Sequence, residues 1–342
     1  MAGASVSEAR FRVGDGAEFV RFVAAMMAQL EYGCEPRGDG LDITSPFGVM
    51  RLRLEGDAVL LRVSAEGEGN LVLMRESAAY FLGQFRSDLA NVTWSGAHRA
   101  GALPVNFRLG RVQSVEERGA SYLRMTLAGE GFARFASGGL HFRLLRQKHR
   151  TGAPQWPRMN ARGTTDWPEG AAALVDKVYT IRALDVETGT LVFDIFRHPG
   201  GFTSEWAETR PIGEVVGIMG PGGGWLIERE WALIGGDETA LPAIARQLAA
   251  AKPGQGGKVF VLVGSEADVE DLPSGGDYEV TWLFRDRGDD LVAAMTGTEV
   301  DFGADYGVWF AASKDQAAAV RDYFRARAGF DRKRLQSVAY WF

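Results

Sequence analysis

A single cysteine, Cys34, stands in a chain of 342 residues. One thiol forms no intrachain disulfide, and cysteine-based zinc or iron–sulfur sites need several. Histidine is almost as scarce. The four histidines, His98, His141, His149 and His198, show no HxxxH or HExxH spacing, so no metal motif is read from them. Long apolar runs are missing as well. None approaches the roughly 20 residues that cross a bilayer, and the opening MAGASVSEARFRVGDGAE lacks the basic-then-apolar order of a secretory leader. The expectation is a cytoplasmic protein without membrane insertion. A basic surplus is also lacking. The formal net charge is -6, which argues against a nucleic-acid partner, since phosphate wants a positive field.

What is present is an ordinary globular composition, 46% hydrophobic and 24% charged, in a length that suggests two or three domains. Three textures follow one another. Residues 1–97 read as a small α+β domain of unknown role. Phe19, Phe22, Val23, Met26, Met27 and Leu30 recur at helical spacing, and the strand-like runs VMRLRLEG and AVLLRVSAEG meet near Gly56-Asp57. A second helix fits Leu71, Met74, Ala78, Phe81, Leu82 and Phe85, and Gly96 to Pro104 makes a linker. Residues 103–226 carry short β-rich runs with Gly and Pro punctuation, which predicts an antiparallel barrel. A polar insertion from about Lys148 to Glu169 interrupts them, and a loop of that length is often functional. From 227 to 342 apolar strands alternate with helices, which predicts a parallel sheet covered on both faces.

Three segments carry chemistry. KVYTIR, residues 177–182, puts a cation, an aromatic ring and a hydroxyl on one strand. A flavin needs a flat wall, a hydroxyl near its reactive edge and a cation for its pyrophosphate, and Lys177, Tyr179, Thr180 and Arg182 are the candidates. A Tyr-Thr pair in a strand is also simply a good β-former. DIFRHPGGFTSEWA, residues 194–207, is a strand, a Gly-rich turn and a short helix. Backbone N–H groups at such a turn suit a pyrophosphate, with Thr203 and Ser204 as added donors; a hairpin with a serine cap is the plain alternative. WALIGGDETALPAIARQL, residues 231–248, is a strand–glycine turn–helix unit of the kind that receives a nucleotide. It is not GxGxxG, and Asp237 and Glu238 at the helix start would repel a phosphate.

In this order, KVYTIR, DIFRHPGGFTSEWA, GPGGG, GGDETALPAIARQL and a terminal AYWF resemble the siderophore-interacting protein family over about residues 104–342. HFRLLR, before the insertion, resembles that family's His-x-Lys-Leu-Leu strand. The resemblance implies a ferredoxin-reductase-like fold, with FAD in the barrel and reduction of a ferric siderophore by NADH, NADPH or ferredoxin. It also implies roles by position. Tyr179 packs on the flavin and Thr180 meets its reactive edge. His198, Gly201 and Ser204 hold the ribityl and pyrophosphate region. Asp237, Glu238 and Thr239 sit at the nucleotide mouth. Two departures matter: Lys177 replaces the usual arginine and lacks its bidentate fork, and Phe202 replaces a proline.

Further expectations rest on charge and position. The basic cluster Arg146, Lys148, His149 and Arg150 would draw anionic ferric chelates, or is a solvated loop. The acids of GSEADVED, residues 264–271, lean the donor toward NADH, with Arg285 and Arg287 as the counter-argument. Tyr340, Trp341 and Phe342 either face the flavin or plug an interdomain core. A general flavin or ferric reductase, or a carrier of ferric chelate or haem without turnover, stays open as an alternative.

Overall fold

The computed structural model describes residues 4–29, 32–96, 99–149, 152–223 and 226–342. Leu30, His98, Arg150 and Trp225 of the sequence reading lie outside them. The chain forms two compact units, Met1–Phe107 with Arg146–Val175, and Arg108–Leu145 with Asp176–Phe342.

The first unit begins with β1 (Ser5–Arg12), α1 (Gly16–Gln29), β2 (Gly33–Arg37), β3 (Gly40–Ser45), β4 (Gly48–Glu55), β5 (Ala58–Ala65) and α2 (Gly67–Phe85). The strands form one antiparallel sheet in the order β1-β5-β4-β3-β2. Alternation sets its two faces. Val59, Leu61 and Val63 of β5 are wholly buried and join Phe19 and Val23 of α1 and Ala78 and Leu82 of α2 in one core. The other face is polar. Glu8, Arg62, Arg51, Asp42 and Glu35 lie in register across all five strands, and ion pairs join Arg62 to Glu8 and Arg51 to Asp42.

The second unit starts with β6 (Phe107–Arg118), β7 (Tyr122–Ala128) and β8 (His141–Gln147). The chain then returns to the first unit through β9 (Arg158–Met159) and β10 (Thr165–Asp166). The insertion, expected within residues 103–226, groups with the first unit instead, and the cause is backbone bonding. Arg162 accepts from the Trp94 N–H at 2.8 Å, and Met159 exchanges two bonds of 2.8 Å with Gly101 and Ala102. Trp156 packs on Phe107. The insertion is thus stitched to the segment read as a linker.

The barrel resumes with β11 (Leu174–Thr180), β12 (Ala183–Asp185), β13 (Thr190–Phe196), α3 (Phe202–Glu208) and β14 (Val215–Gly222). Its sheet order is β11-β8-β14-β6-β7-β13-β12. The two edge strands are consecutive in the chain. The Ile181 N–H donates to Leu140 at 2.8 Å while the next N–H, of Arg182, donates to Val192 at 2.8 Å. Neighbouring residues thus bond to opposite ends of the strand order, which curls the sheet round on itself.

The α/β part follows: β15 (Trp231–Gly236), α4 (Leu241–Ala250), β16 (Gly256–Val263), β17 (Asp277–Phe284), α5 (Leu291–Thr296), β18 (Tyr306–Ser313), α6 (Lys314–Arg325) and β19 (Leu335–Trp341). All neighbours pair in parallel in the order β17-β16-β15-β18-β19. The order reverses between β15 and β18, and ligands of such sheets gather at the carboxyl ends beside that switch point. α4 packs in the core on one face, and α5 and α6 in that on the other.

Candidate functional site

Tyr179 and Thr180 end β11 on the closing seam of the barrel. The half-buried Tyr179 ring packs at 5.1 Å from Phe193 and 6.3 Å from Phe142, against the barrel core. Lys177 is exposed, as two-residue alternation with a strand edge allows. Thr180 is buried, and its Oγ1 lies 3.1 Å from His141 Nδ1. The other face of that imidazole is taken as well: Nε2 lies 3.0 Å from the Tyr340 hydroxyl of β19. Burial, aided by the nearby Arg246 guanidinium, pushes the His141 pKa down to about 4. Arg246 of α4 donates to the carbonyls of Leu140 and Ile181, each at 3.2 Å, and no carboxylate pairs with it among the described residues.

Arg182 has a different environment from that of a phosphate ligand. It pairs with Asp194 at 3.2 Å and Glu270 at 2.8 Å. Arg124 pairs with the same two acids, at 2.7 Å and 3.7 Å. Two guanidiniums and two carboxylates thus bridge the barrel and the α/β part. Compensation of Lys177 by Arg182 would require breaking this network.

On the β13–α3 turn, His198 is exposed and Gly201 and Ser204 are buried. A Cβ at Gly201 would lie 2.7 Å from Cε1 and Nε2 of the exposed His198 ring, so a larger residue there would displace that ring. No side chain caps the start of α3. Ser204 Oγ accepts the His198 N–H at 3.4 Å, a long bond, and Thr203 is buried beside it.

At the carboxyl end of β15, Asp237 and Glu238 are 0% and 4% exposed. Asp237 Oδ1 accepts from the Thr239 N–H at 3.0 Å and its hydroxyl at 2.6 Å. Its Oδ2 accepts from Trp341 Nε1 at 2.7 Å. Burial still holds its carboxyl above the usual range. Arg285 grips Glu238 with two bonds of 2.6 and 2.8 Å, and Tyr122 of the barrel donates to the Glu238 carbonyl at 2.9 Å. The helix begins at Leu241, two residues beyond the start near Thr239 that the sequence suggests. Trp341 is 43% exposed and Phe342 92%; it is Tyr340 that reaches inward.

Three of the four acids of the GSEADVED stretch have partners, and Asp271 is exposed. Asp268 accepts from the Ala120 and Ser121 N–H groups and the Ser121 hydroxyl at 2.7–2.9 Å, Glu270 belongs to the arginine network, and Glu266 pairs with Arg287. In the first unit, Arg146 is half-buried and Lys148 and His149 are exposed. Among the described residues no three His, Cys, Asp or Glu side chains converge as metal ligands, and no helix is long and apolar enough to cross a membrane.

Comparison with known proteins decides the family. The model of the siderophore-interacting FAD-binding domain matches residues 111–225, and that of the siderophore-interacting protein matches 229–342. The chain belongs to the siderophore-interacting protein family. The first hundred residues lie outside both models. The ferric vibriobactin reductase of Vibrio cholerae is 29% identical over 231 residues, 64% of this chain and 83% of that protein. The NADPH-dependent ferric-chelate reductase of Escherichia coli is 28% identical over 248 residues, 69% and 93%. A siderophore utilization protein from T. fusca, solved by crystallography, is 25% identical with a TM-score of 0.59, covering 71% of this chain and 95% of that one. The chain spans 64% of the length of the mycobacterial relatives that are 30% identical over 181 residues.

The residues fit an FAD of the family kind. The strand end offers an aromatic wall and a hydroxyl. Gly201 permits close backbone approach. β14 ends on Gly222, where a Cβ would meet nothing within 4 Å, and Gly223 follows in the left-handed region at φ 58°. Arg246 supplies a half-buried positive charge, with no carboxylate paired to it among the described residues. Sequence reasoning missed Arg246, Asp194 and Glu270, and left His141 as a lone histidine. HFRLLR held the only signal, a histidine opening a strand of the family pattern.

Proposed function

We propose that the protein is an FAD-dependent oxidoreductase that reduces ferric siderophores and so releases iron as Fe(II), which such chelators hold weakly. The observation that carries this reading is the link between the seam of the barrel and the carboxyl edge of the parallel sheet. Tyr340 meets His141, and through it Thr180, so the expected flavin edge and the nucleotide mouth are tied by hydrogen bonds. An FAD held here would supply the exchange between two-electron and one-electron chemistry that a nicotinamide donor and Fe(III) require. The work of the chain is to hold and orient. Tyr179 supplies the wall, Thr180 the hydroxyl at the reactive edge, and His198, Gly201, Thr203 and Ser204 the turn for ribityl and pyrophosphate. Asp237, Glu238, Thr239 and Trp341 shape the nucleotide mouth.

The donor is NADH or NADPH, with ferredoxin as the protein alternative. Arg285 and Arg287 are already held by Glu238 and Glu266, which supports NADH, because neither is free for a 2′-phosphate. The likeness to ferric-siderophore and ferric-chelate reductases supports an anionic ferric chelate as substrate. Arg146, Lys148 and Arg150 would add attraction for it. The test is an anaerobic spectrum of the purified protein. A flavin spectrum that bleaches with NADH and returns with a ferric siderophore supports the reading. Tyr179→Ala with Ser204→Ala should release the flavin on gel filtration; a double variant that stays fully yellow refutes the site.

A further inference from the structure

The Thr180–His141–Tyr340 chain has a direction, and that direction follows from counting protons. Tyr340 carries one phenolic proton. Its ring is enclosed by His141 at 5.5 Å and Trp309 at 6.4 Å, both edge-on. Among the described residues, its hydroxyl has one hydrogen-bond partner, His141 Nε2 at 3.0 Å. A buried hydroxyl proton without an acceptor costs roughly 1–3 kcal/mol, so Tyr340 donates and Nε2 accepts. The neutral imidazole then carries its own proton on Nδ1. That N–H donates to Thr180 Oγ1, 3.1 Å away. Thr180 has no other partner among the described residues, so its own O–H is left to point outward as a donor.

The reverse order contains the same three protons. Thr180 donates to Nδ1, Nε2–H donates to Tyr340, and the Tyr340 proton has nowhere to go. The two orders differ in no charge, only in whether that buried proton is satisfied. The ends of the chain are also fixed. Arg246 bonds to the carbonyls of Leu140 and Ile181, the residues adjoining His141 and Thr180, and Ile181 N–H meets Leu140 O at 2.8 Å. The charged groups facing the chain are the Arg246 guanidinium, beside His141, and Asp237, toward Tyr340. The guanidinium opposes a second proton on the imidazole, which would spoil the order.

We propose that Tyr340 is a positioning residue that, through His141, holds the Thr180 hydroxyl as a hydrogen-bond donor toward the flavin edge and thereby favours oxidised FAD. The proposal rests on the cofactor reading above. N5 of an oxidised isoalloxazine accepts a hydrogen bond, whereas the reduced ring carries N5–H and donates. A hydroxyl held as a donor suits the first and opposes the second. The bound cofactor is thereby made a stronger reductant, which is what a ferric chelate demands.

The test has an arm without cofactor and an arm with it. Four histidines make selective 15N-histidine labelling readable. In flavin-free wild-type protein, the His141 ring should show a protonated Nδ1 and an unprotonated Nε2. In the FAD-loaded protein, Tyr340→Phe should raise the midpoint potential. The expected tenfold shift in the ratio of oxidised to reduced flavin is about 30 mV for a two-electron couple. Loosened packing alone would change neither the tautomer of the wild type nor the potential in that direction. A protonated Nε2 in the wild type, or a potential that falls or stays put in the variant, overturns the proposal while leaving the cofactor reading intact. A protein that shows the Nδ1–H form but never holds FAD overturns the cofactor reading, and the redox half of the proposal with it.

Discussion

Acid should destabilise this protein through the imidazole of His141. His141 is neutral in the folded chain, with its pKa pushed down to about 4 by burial first and the Arg246 charge second. The ordinary value is about 6.5. A histidine whose folded pKa is depressed binds fewer protons folded than unfolded between those two values. Stability therefore falls as the pH drops through 6.5, and the loss is complete near pH 4. The full gap of 2.5 units is about 3 kcal/mol, and at pH 5 about 2 kcal/mol of it is already lost relative to pH 7.5. The perturbation is His141→Gln, which keeps a polar side chain but cannot take up the proton. Urea titrations of both proteins at pH 7.5 and pH 5, followed by one probe, give the double difference; the carboxylates titrate alike in both and cancel. The variant starts less stable at pH 7.5 but should lose about 2 kcal/mol less on going to pH 5. Parallel losses in the two proteins would refute the neutral, buried imidazole, and with it the order of protons along the chain.

Arg285→Ala should destabilise the second unit by about 2 kcal/mol, since it leaves the 4%-exposed Glu238 without its cation; a Tm equal to wild type would contradict this. Asp268→Ala removes three hydrogen bonds to the Ala120–Ser121 turn and should cost about 2–3 kcal/mol, read by thermal melting, whereas the exposed Asp289→Ala serves as the near-neutral comparison for a single lost bond. Replacing Arg146, Lys148 and Arg150 by alanine should raise KM for an anionic ferric chelate at low salt and flatten its salt dependence; an unchanged KM at low ionic strength removes the steering role.

The α/β half was legible because its strands are nearly continuous runs of buried apolar residues, WALIGG and GVWFAA among them, and its helices follow at once. The barrel strands were legible from their punctuation. β1 was not read, because its buried face is built of Ser7, Ala9 and Phe11, two of them too small to signal a strand. β2 hid behind Pro36, which an edge strand tolerates. At the site, Tyr179, Thr180 and Asp237 sit in local motifs. Arg246, Asp194, Glu270 and Tyr340 act on residues far away in the chain. His141 and Tyr340 are 199 positions apart, and no local spacing encodes that meeting. Charge counted along the sequence does not show partners: of the acids of GSEADVED, Asp268 and Glu270 meet barrel residues and Glu266 meets Arg287.

The tip of the β6–β7 hairpin has a bearing on where this protein can be altered. Hairpin tips ordinarily accept added residues, tags or labels, because they project into solvent. At Gly38 and Gly56 of the first unit, likewise left-handed at φ 61° and 65°, a Cβ would meet nothing within 4 Å. At Gly119 it would lie 2.8 Å from Asp268 Oδ1 and 2.9 Å from the Ala267 carbonyl, with the backbone already at φ 59°. That turn is a socket for the carboxylate rather than a free end. A fluorophore or affinity tag engineered into the Gly38 or Gly56 turn leaves the sheet beneath it undisturbed. The same insertion at Gly119 would pry the barrel from the parallel sheet, and a library of loop insertions across the chain should be depleted there first.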